Sequence, residues 1–326
     1  MTDRTGSPPI TELSISYTLR CTSACRHCAV ESSPERTEKL NPDDVLPLLP
    51  ALHAHGVRRF LLTGGEPALY VDELAHIIRP TQSYGWRVAV FSNGFWAVSD
   101  EDARSWAADF RGAGIHHVFF STSRYHREFV PSANILRAAA ALERHHLTSH
   151  VHCHLDRTRN VGDLLVAAEL AERGVPCSPF VLCPEGRARD LTDQIELLGA
   201  PRGQVPKERC ALQHQIFIDT GGVAMRCCAA ADRMERLENR DFYCYGDVRQ
   251  HTIEEILDGM APWTPLFALL NREGPAGVWG CLAGQLAGTG FSLRDRYYSH
   301  CDLCTDLLGN PRVLHVVRDM FRIPPP

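Results

Sequence analysis

Short apolar runs recur through the first 180 residues, at Leu13–Leu19, Arg59–Thr63, Arg87–Ser92, His116–Ser121, Ser149–Leu155 and Pro176–Val181. Each has the length of a strand buried in a sheet. Between them the apolar spacing becomes helical, which predicts helices over Asp72–Thr81, Asp100–Arg111, Ala133–His145 and Val161–Arg173. A further helix is predicted from Pro42 towards His55, with Asn41 as its cap and proline at its first position. Strands separated by helices require right-handed crossovers and therefore a parallel sheet, here an α/β layout curled into part of a barrel. In such sheets reactive groups collect at the carboxyl ends of the strands. The loop at Cys21, the Gly64–Gly65 turn and Ser92–Asn93–Gly94 all fall there.

After about Leu198 the pattern changes. Pro201–Pro206 reads as a linker, and Gln215–Asp219 and Val223–Arg226 alternate around Thr220–Gly222 as a hairpin. Thr252 and Glu255 form a capping box for a short helix, Gly274–Gly290 is loop-prone, and Pro324–Pro326 reads as a frayed tail. The expectation is two domains, 1–200 and 201–326, the second built around its cysteines.

Of the 326 residues, 44% are hydrophobic and 22% charged, as in ordinary globular chains. A net charge of −5 argues against a protein whose main task is binding a phosphate backbone, so no nucleic-acid partner is expected. The uncharged run Gly274–Leu293 holds six glycines, a proline and a glutamine, a poor membrane span. Met1–Pro9 has no apolar core of a secretory signal. A cytoplasmic protein without a membrane partner is expected.

Thirteen cysteines without an export signal point to metal or redox chemistry rather than to a disulfide framework. Cys21, Cys25 and Cys28 lie within eight residues, directly after the first predicted strand. Three thiolates on one strand-end loop suit three irons of a four-iron cube, with the fourth iron open. Zinc is the alternative, but a structural zinc site takes four protein ligands and only His27 is near.

This Cys-x3-Cys-x2-Cys loop resembles that of the radical S-adenosylmethionine (SAM) enzymes, and two further matches follow in order. Thr63-Gly64-Gly65-Glu66-Pro67 is similar to the family's Gly-Gly-Glu motif, which meets the SAM amino group, and Ser92-Asn93-Gly94-Phe95-Trp96 to a later motif that lines SAM. The resemblance implies a partial (β/α)6 TIM-like barrel, with Gly64, Gly65, Glu66, Pro67, Ser92 and Asn93 around SAM. Relatives often carry Ser-Asp after the fourth strand to hold the ribose. Here the residues are Ser121-Thr122-Ser123-Arg124, which leaves Ser121 or Ser123 for that role. Arg124 either faces a carboxylate or lies in solvent.

Cys210, Cys227, Cys301 and Cys304 form a second constellation, similar to the Twitch domain, the shortened SPASM form. It implies one auxiliary [4Fe-4S] cluster, so two clusters in all; a structural zinc ribbon is the alternative. Six cysteines remain: Cys153, Cys177, Cys183, Cys228, Cys244 and Cys281. On a strand, Cys227 and Cys228 would point to opposite sides. Arg226-Cys227-Cys228-Ala229 resembles the arrangement in radical SAM peptide epimerases, where the second cysteine supplies a hydrogen atom; the other reading is a small buried hydrophobe. The same family has stretches similar to Tyr125–Val130. His150, His152 and His154 share one strand face, either the barrel lumen or the helix side.

The resemblance implies reductive cleavage of SAM to a 5′-deoxyadenosyl radical that abstracts hydrogen from a substrate carbon. Electrons would come from an external donor such as flavodoxin or ferredoxin. The leading expectation is epimerisation of a residue in a ribosomally made peptide, with Cys228 as donor. About twenty residues precede Cys21, too few for a peptide-leader recognition domain. The runner-up is oxidation or epimerisation of an aminocyclitol sugar, and a non-catalytic iron–sulfur or zinc protein is the remote alternative.

Overall fold

The computed structural model describes residues 10–155, 161–182, 185–191, 203–210, 214–228 and 237–324. By internal contacts the chain divides into two compact units. One is Glu12–Leu197 with Ile218–Gly222; the other is Leu198–Phe217 and Val223–Pro326 with the residues up to Thr11. Cys183, Ala229 and the first part of the expected linker lie outside the described residues.

The first unit is a parallel sheet of β1 (Glu12–Thr18), β2 (Arg59–Gly64), β3 (Arg87–Ser92), β4 (His117–Thr122), β5 (Thr148–Leu155) and β6 (Cys177–Val181). Each strand pairs in parallel with the next in sequence. Register aligns Ile15, Leu62, Val90 and Val118 in a row, all fully buried. Over these strands pack helices α3 (Val71–Ser83), α4 (Asp100–Ala113) and α5 (Ser132–Arg144), which bury Ile77, Ile78, Phe110, Ile135 and Leu142. Ser99 and Asp102 close a capping box on α4, and Gly114 ends it at φ 90°, a left-handed position suited to glycine. The helix expected from Pro42 to His55 is divided into α1 (Pro42–Val45), a 3-10 turn and α2 (Leu49–Ala54). Pro47 and Pro50 explain the division, because neither can donate the backbone hydrogen bond that would carry one helix through. After β5 comes α6 (Val161–Glu172), which leaves Val161, Leu164 and Leu165 exposed.

Further along the chain β7 (Gln215–Ile218) and β8 (Val223–Met225) flank the expected turn, where the Gly222 amide donates to the Asp219 carbonyl at 3.0 Å. β8 pairs antiparallel with β9 (Cys244–Asp247), a strand absent from the sequence reading. The capping box of Thr252 and Glu255 opens α7 (Ile253–Met260). Three more helices follow: α8 (Thr264–Leu282), α9 (His300–Leu308) and α10 (Pro311–Phe321). The expected loop from Gly274 is therefore corrected: 274–282 is the latter part of α8. Gly274 breaks the helix at φ 69°, and Pro275 restarts it from a first-turn position where no amide is needed. Among the described residues no helix is long and apolar enough to cross a membrane.

Candidate active site

The chain leaving β1 is pinned by a returning segment. The Leu19 amide donates to Glu38 O at 2.9 Å and the Cys21 amide to Ser33 O at 3.0 Å. Inside the loop, the Cys28 amide donates to Cys25 O at 3.1 Å, and the Ser32 amide to Cys28 Sγ at 3.4 Å. Cys25 is buried; Cys21 and Cys28 are half-buried. Burial pushes the Cys21 thiol up to about 12, with the Glu66 charge adding to it, and the Cys25 thiol to about 12, with Cys28 and Cys21 adding. The three sulfurs therefore sit within each other's electrostatic reach.

The glycines after β2 serve close approach. A Cβ on Gly64 (φ 122°) would run into the Thr18 carbonyl, and one on Gly65 into that of Arg20. The Glu66 amide donates to Arg20 O at 2.8 Å, which places its side chain, fully buried, beneath the cysteine loop. Glu66 Oε2 accepts from the Asn93 amide at 2.7 Å and Oε1 from the Ala68 amide at 3.4 Å. Burial raises this carboxyl to about 7, against the lowering effect of those bonds. Pro67, buried, opens the 3-10 turn that follows.

At the end of β3, Asn93 Nδ2 donates to Thr22 Oγ1 at 3.0 Å and Ser23 Oγ at 3.3 Å, and lies 3.7 Å from Cys21 Sγ. Its Oδ1 accepts from the Phe95 amide at 2.9 Å, while Ser92 Oγ accepts from the Gly94 amide at 3.1 Å and Trp96 Nε1 at 3.0 Å. The loop after β1 and the turns after β2 and β3 thus meet through Glu66 and Asn93.

Ser121 is half-buried on β4, opposite His152. Ser123 is 1% exposed and its hydroxyl meets His126 Nδ1 at 2.8 Å. Arg124 is half-buried rather than free in solvent: its guanidinium lies 4.7 Å from the centre of the Tyr125 ring and donates to Tyr125 Oη at 2.7 Å. Val151 and Cys153 are the buried positions of β5, so His150, His152 and His154 take the other face, with Phe91 and Phe119. His154 lies 5.8 Å from His27 and 5.7 Å from His126, between ring centres. Burial lowers His27 to about 3 and His154 to about 4, so these imidazoles are neutral.

Sequence reasoning passed over one element of the site. After β6, a 3-10 turn (Gly186–Leu191) lies against the cysteine loop. The Arg187 amide donates to Cys28 O at 3.1 Å, its Nε to Cys25 O at 3.0 Å and its Nη2 to Ser32 O at 2.6 Å. Gly186 sits at φ 50°, where a Cβ would strike the Cys28 and Ala29 carbonyls. A lone Gly-Arg pair carries no motif signal, so only the fold reveals it.

In the second unit, Cys301 and Cys304 stand three apart on α9, on one helix face. The Cys304 thiol is pushed well up by burial and then by charge on Cys227, Cys210 and Cys301, which places those three within electrostatic reach of Cys304. Tyr243 Oη donates to Cys304 O at 3.1 Å. Arg226, 5% exposed, lies over the Phe267 ring, and burial lowers its guanidinium to about 10. The argument from strand alternation at Cys227 and Cys228 is corrected: β8 ends at Met225, and Cys228 is already helical.

Among the described residues, no three Cys, His, Asp or Glu side chains are drawn together as a site for a single metal ion. An iron–sulfur cube instead gives each thiolate its own iron. Both donor sets are sulfur alone and within electrostatic reach of one another, a chemistry that fits that group.

Residues 15–165 match the family model described as Radical SAM superfamily, and the chain carries a radical SAM domain. Such a domain implies SAM and one [4Fe-4S] cluster. Over 304 residues the chain is 29% identical to the putative peptide biosynthesis protein YydG of Bacillus subtilis (strain 168), covering 91% of this chain and 92% of that one. A GTP 3′,8-cyclase of Chlorobaculum tepidum is 32% identical over 96 residues, 29% of this chain and 28% of the cyclase. The match to that cyclase therefore spans less than a third of its length. Among solved structures, SuiB of Streptococcus suis bound to its precursor peptide SuiA superposes with a TM-score of 0.55 at 11% identity, over 81% of this chain and 67% of that one. The anSMEcpe enzyme with bound AdoMet and a Cp18Cys peptide gives 0.56 at 11% identity, over 96% and 100%. These likenesses show the fold, the α/β partial barrel of radical SAM enzymes.

Proposed function

We propose that this enzyme epimerises residues of a ribosomally made peptide. The observation that supports this reading is the likeness to the putative peptide biosynthesis protein YydG along 91% of the chain. Cys21, Cys25 and Cys28 would hold the SAM-binding cluster, and Cys210, Cys227, Cys301 and Cys304 an auxiliary one. When bound, the first cluster supplies the electron that divides SAM into methionine and a 5′-deoxyadenosyl radical.

The chain's own residues set the geometry. The Glu66 carboxylate accepts from the Asn93 and Ala68 amides and from the Ser92 side chain, which leaves it one lone-pair site for an ammonium group. Gly64, Gly65 and Pro67 fix that carboxylate, and Asn93 orients the Cys21 loop. Ser92 and Ser123 hold their own turns with their hydroxyls, which leaves half-buried Ser121 as the better ribose partner. Phe91, Phe119 and the neutral imidazoles of His152 and His154 would form a wall that excludes water from a reactive carbon. Cys228 would donate the hydrogen atom that returns to the substrate Cα from the opposite side.

Turnover of a precursor peptide in deuterated water tests this reading. The expected product carries one solvent deuterium at an inverted Cα, and Cys228→Ala makes 5′-deoxyadenosine without inversion. Full turnover by that variant overturns the donor assignment. An oxidised or inverted aminocyclitol, with the peptide untouched, overturns the substrate.

A further inference from the structure

Two cysteines at the end of the parallel sheet stand outside the proposed chemistry. Cys153 on β5 and Cys177 on β6 both belong to the first unit. Register pairs Val151 with Cys177 and Cys153 with Pro179, so the cysteines are diagonal neighbours on adjacent strands. Their sulfurs lie 2.8 Å apart. A bonded pair sits at about 2.05 Å, so less than about 1 Å of travel separates contact from bond.

The two thiols are not equivalent. Cys153 is 2% exposed, whereas Cys177 is half-buried on β6, the strand that ends the sheet. Both line a cavity of about 500 Å³ between these strands and α6, walled by Leu164, Ala167, Ala171 and Pro179. The hydrogen bond the two thiols share lowers Cys177 from its ordinary value, and the same bond with burial raises Cys153. Asp163 and Arg127, an ion pair at 2.6 Å, are the charged groups beside Cys153. The pair therefore favours the thiolate on Cys177, the more exposed of the two, and the proton on Cys153.

We propose that Cys153 and Cys177 form a thiol–disulfide exchange site for low-mass disulfides, with Cys177 attacking and Cys153 resolving. The Cys177 thiolate displaces one thiolate from the small disulfide and forms a mixed disulfide. Cys153 then gives up its proton and attacks Cys177 Sγ, breaking the mixed disulfide and releasing the second thiol. In sum the protein dithiol becomes a disulfide. Two electrons and two protons pass to the small molecule, which leaves as two thiols. The new bond would join the strand that carries His152 and His154 to the last strand of the sheet.

The test uses anaerobic holoenzyme exposed to oxidised glutathione, quenched in acid, alkylated and mapped by tryptic mass spectrometry. Cys153 lies in peptide 145–157, and Cys177 in peptide 174–187, which also holds Cys183. The expected product is a cross-link between these peptides, placed by fragmentation on Cys177 rather than Cys183 and reversed by dithiothreitol. Cys153→Ser should trap glutathione on Cys177, and Cys177→Ser should leave Cys153 alkylated. Wild-type enzyme with both thiols alkylated, a cross-link through Cys183, or a glutathione adduct on Cys153 in the Cys177→Ser variant would overturn the proposal. The wild-type arm needs no variant to fold.

Discussion

The backbone amide of Asn93 donates to Oε2 of the buried Glu66 at 2.7 Å, while the Asn93 side chain reaches Cys21 Sγ at 3.7 Å. One residue thus couples the carboxylate to the first thiol of the cysteine loop. Glu66→Ala would strip the acceptors from the Asn93 and Ala68 amides, each of which costs about 1–3 kcal/mol when buried and unpaired. Glu66→Gln keeps one acceptor oxygen and the shape. Urea unfolding should therefore show Ala well below Gln, and both below wild type. Calorimetry should show SAM affinity falling at least tenfold in both. Equal stability of the two variants would mean that the amides find other acceptors.

Arg187 donates to three backbone carbonyls of the cysteine loop, from its side chain to Cys25 and Ser32 and from its amide to Cys28. Arg187→Ala should lower iron retention after reconstitution and broaden the electron paramagnetic resonance signal of the first cluster, with Arg187→Lys recovering part of each. Gly186→Ala meets both a left-handed φ and two carbonyls, a strain of about 1–3 kcal/mol before the clash is counted. It should be the more damaging change by thermal melting.

His154 is held near 4 by burial and by its neighbour His152, against about 6.5 in an unfolded chain. Between those values the unfolded chain binds a proton that the folded chain does not, so acid favours unfolding. Stability from this residue is complete above about pH 6.5 and falls as the pH drops towards 4. His154→Gln should flatten the pH dependence of the urea midpoint in that window. An unchanged slope would place the titration on other groups.

Arg127 and Asp163 form an ion pair at 2.6 Å in which the aspartate is 2% exposed. Removing the cation leaves a buried carboxylate next to hydrophobic sheet, which typically costs about 3–5 kcal/mol. Arg127→Ala should lower the urea midpoint accordingly, and the double variant Arg127→Ala with Asp163→Ala should recover part of the loss.

Much of the barrel was legible because β-rich apolar runs separated by capped helices have few other solutions. All six strand runs end within one residue of the observed carboxyl ends, and Arg87–Ser92 kept both bounds. The cysteine loop, Gly64–Gly65 and Asn93 were legible because close approach and thiolate spacing write themselves into residue type. Other features depend on tertiary neighbours. Gly274-Pro275 reads as loop by composition, yet it is a helix break followed by an immediate restart. The helical placement of Cys301 and Cys304 was hidden by the tyrosine- and arginine-rich stretch before them. The Gly186–Arg187 contact was invisible because it joins residues about 160 positions apart.

The most direct test of the account is anaerobic reconstitution with iron and sulfide, reduction with dithionite, and addition of SAM. The account predicts about eight irons per chain, since two four-iron clusters are proposed, together with 5′-deoxyadenosine and methionine in equal amounts. The triple variant Cys21→Ala, Cys25→Ala, Cys28→Ala should keep about half the iron and release no 5′-deoxyadenosine. Bound zinc with no SAM cleavage by the wild type, or undiminished cleavage by the triple variant, would contradict it.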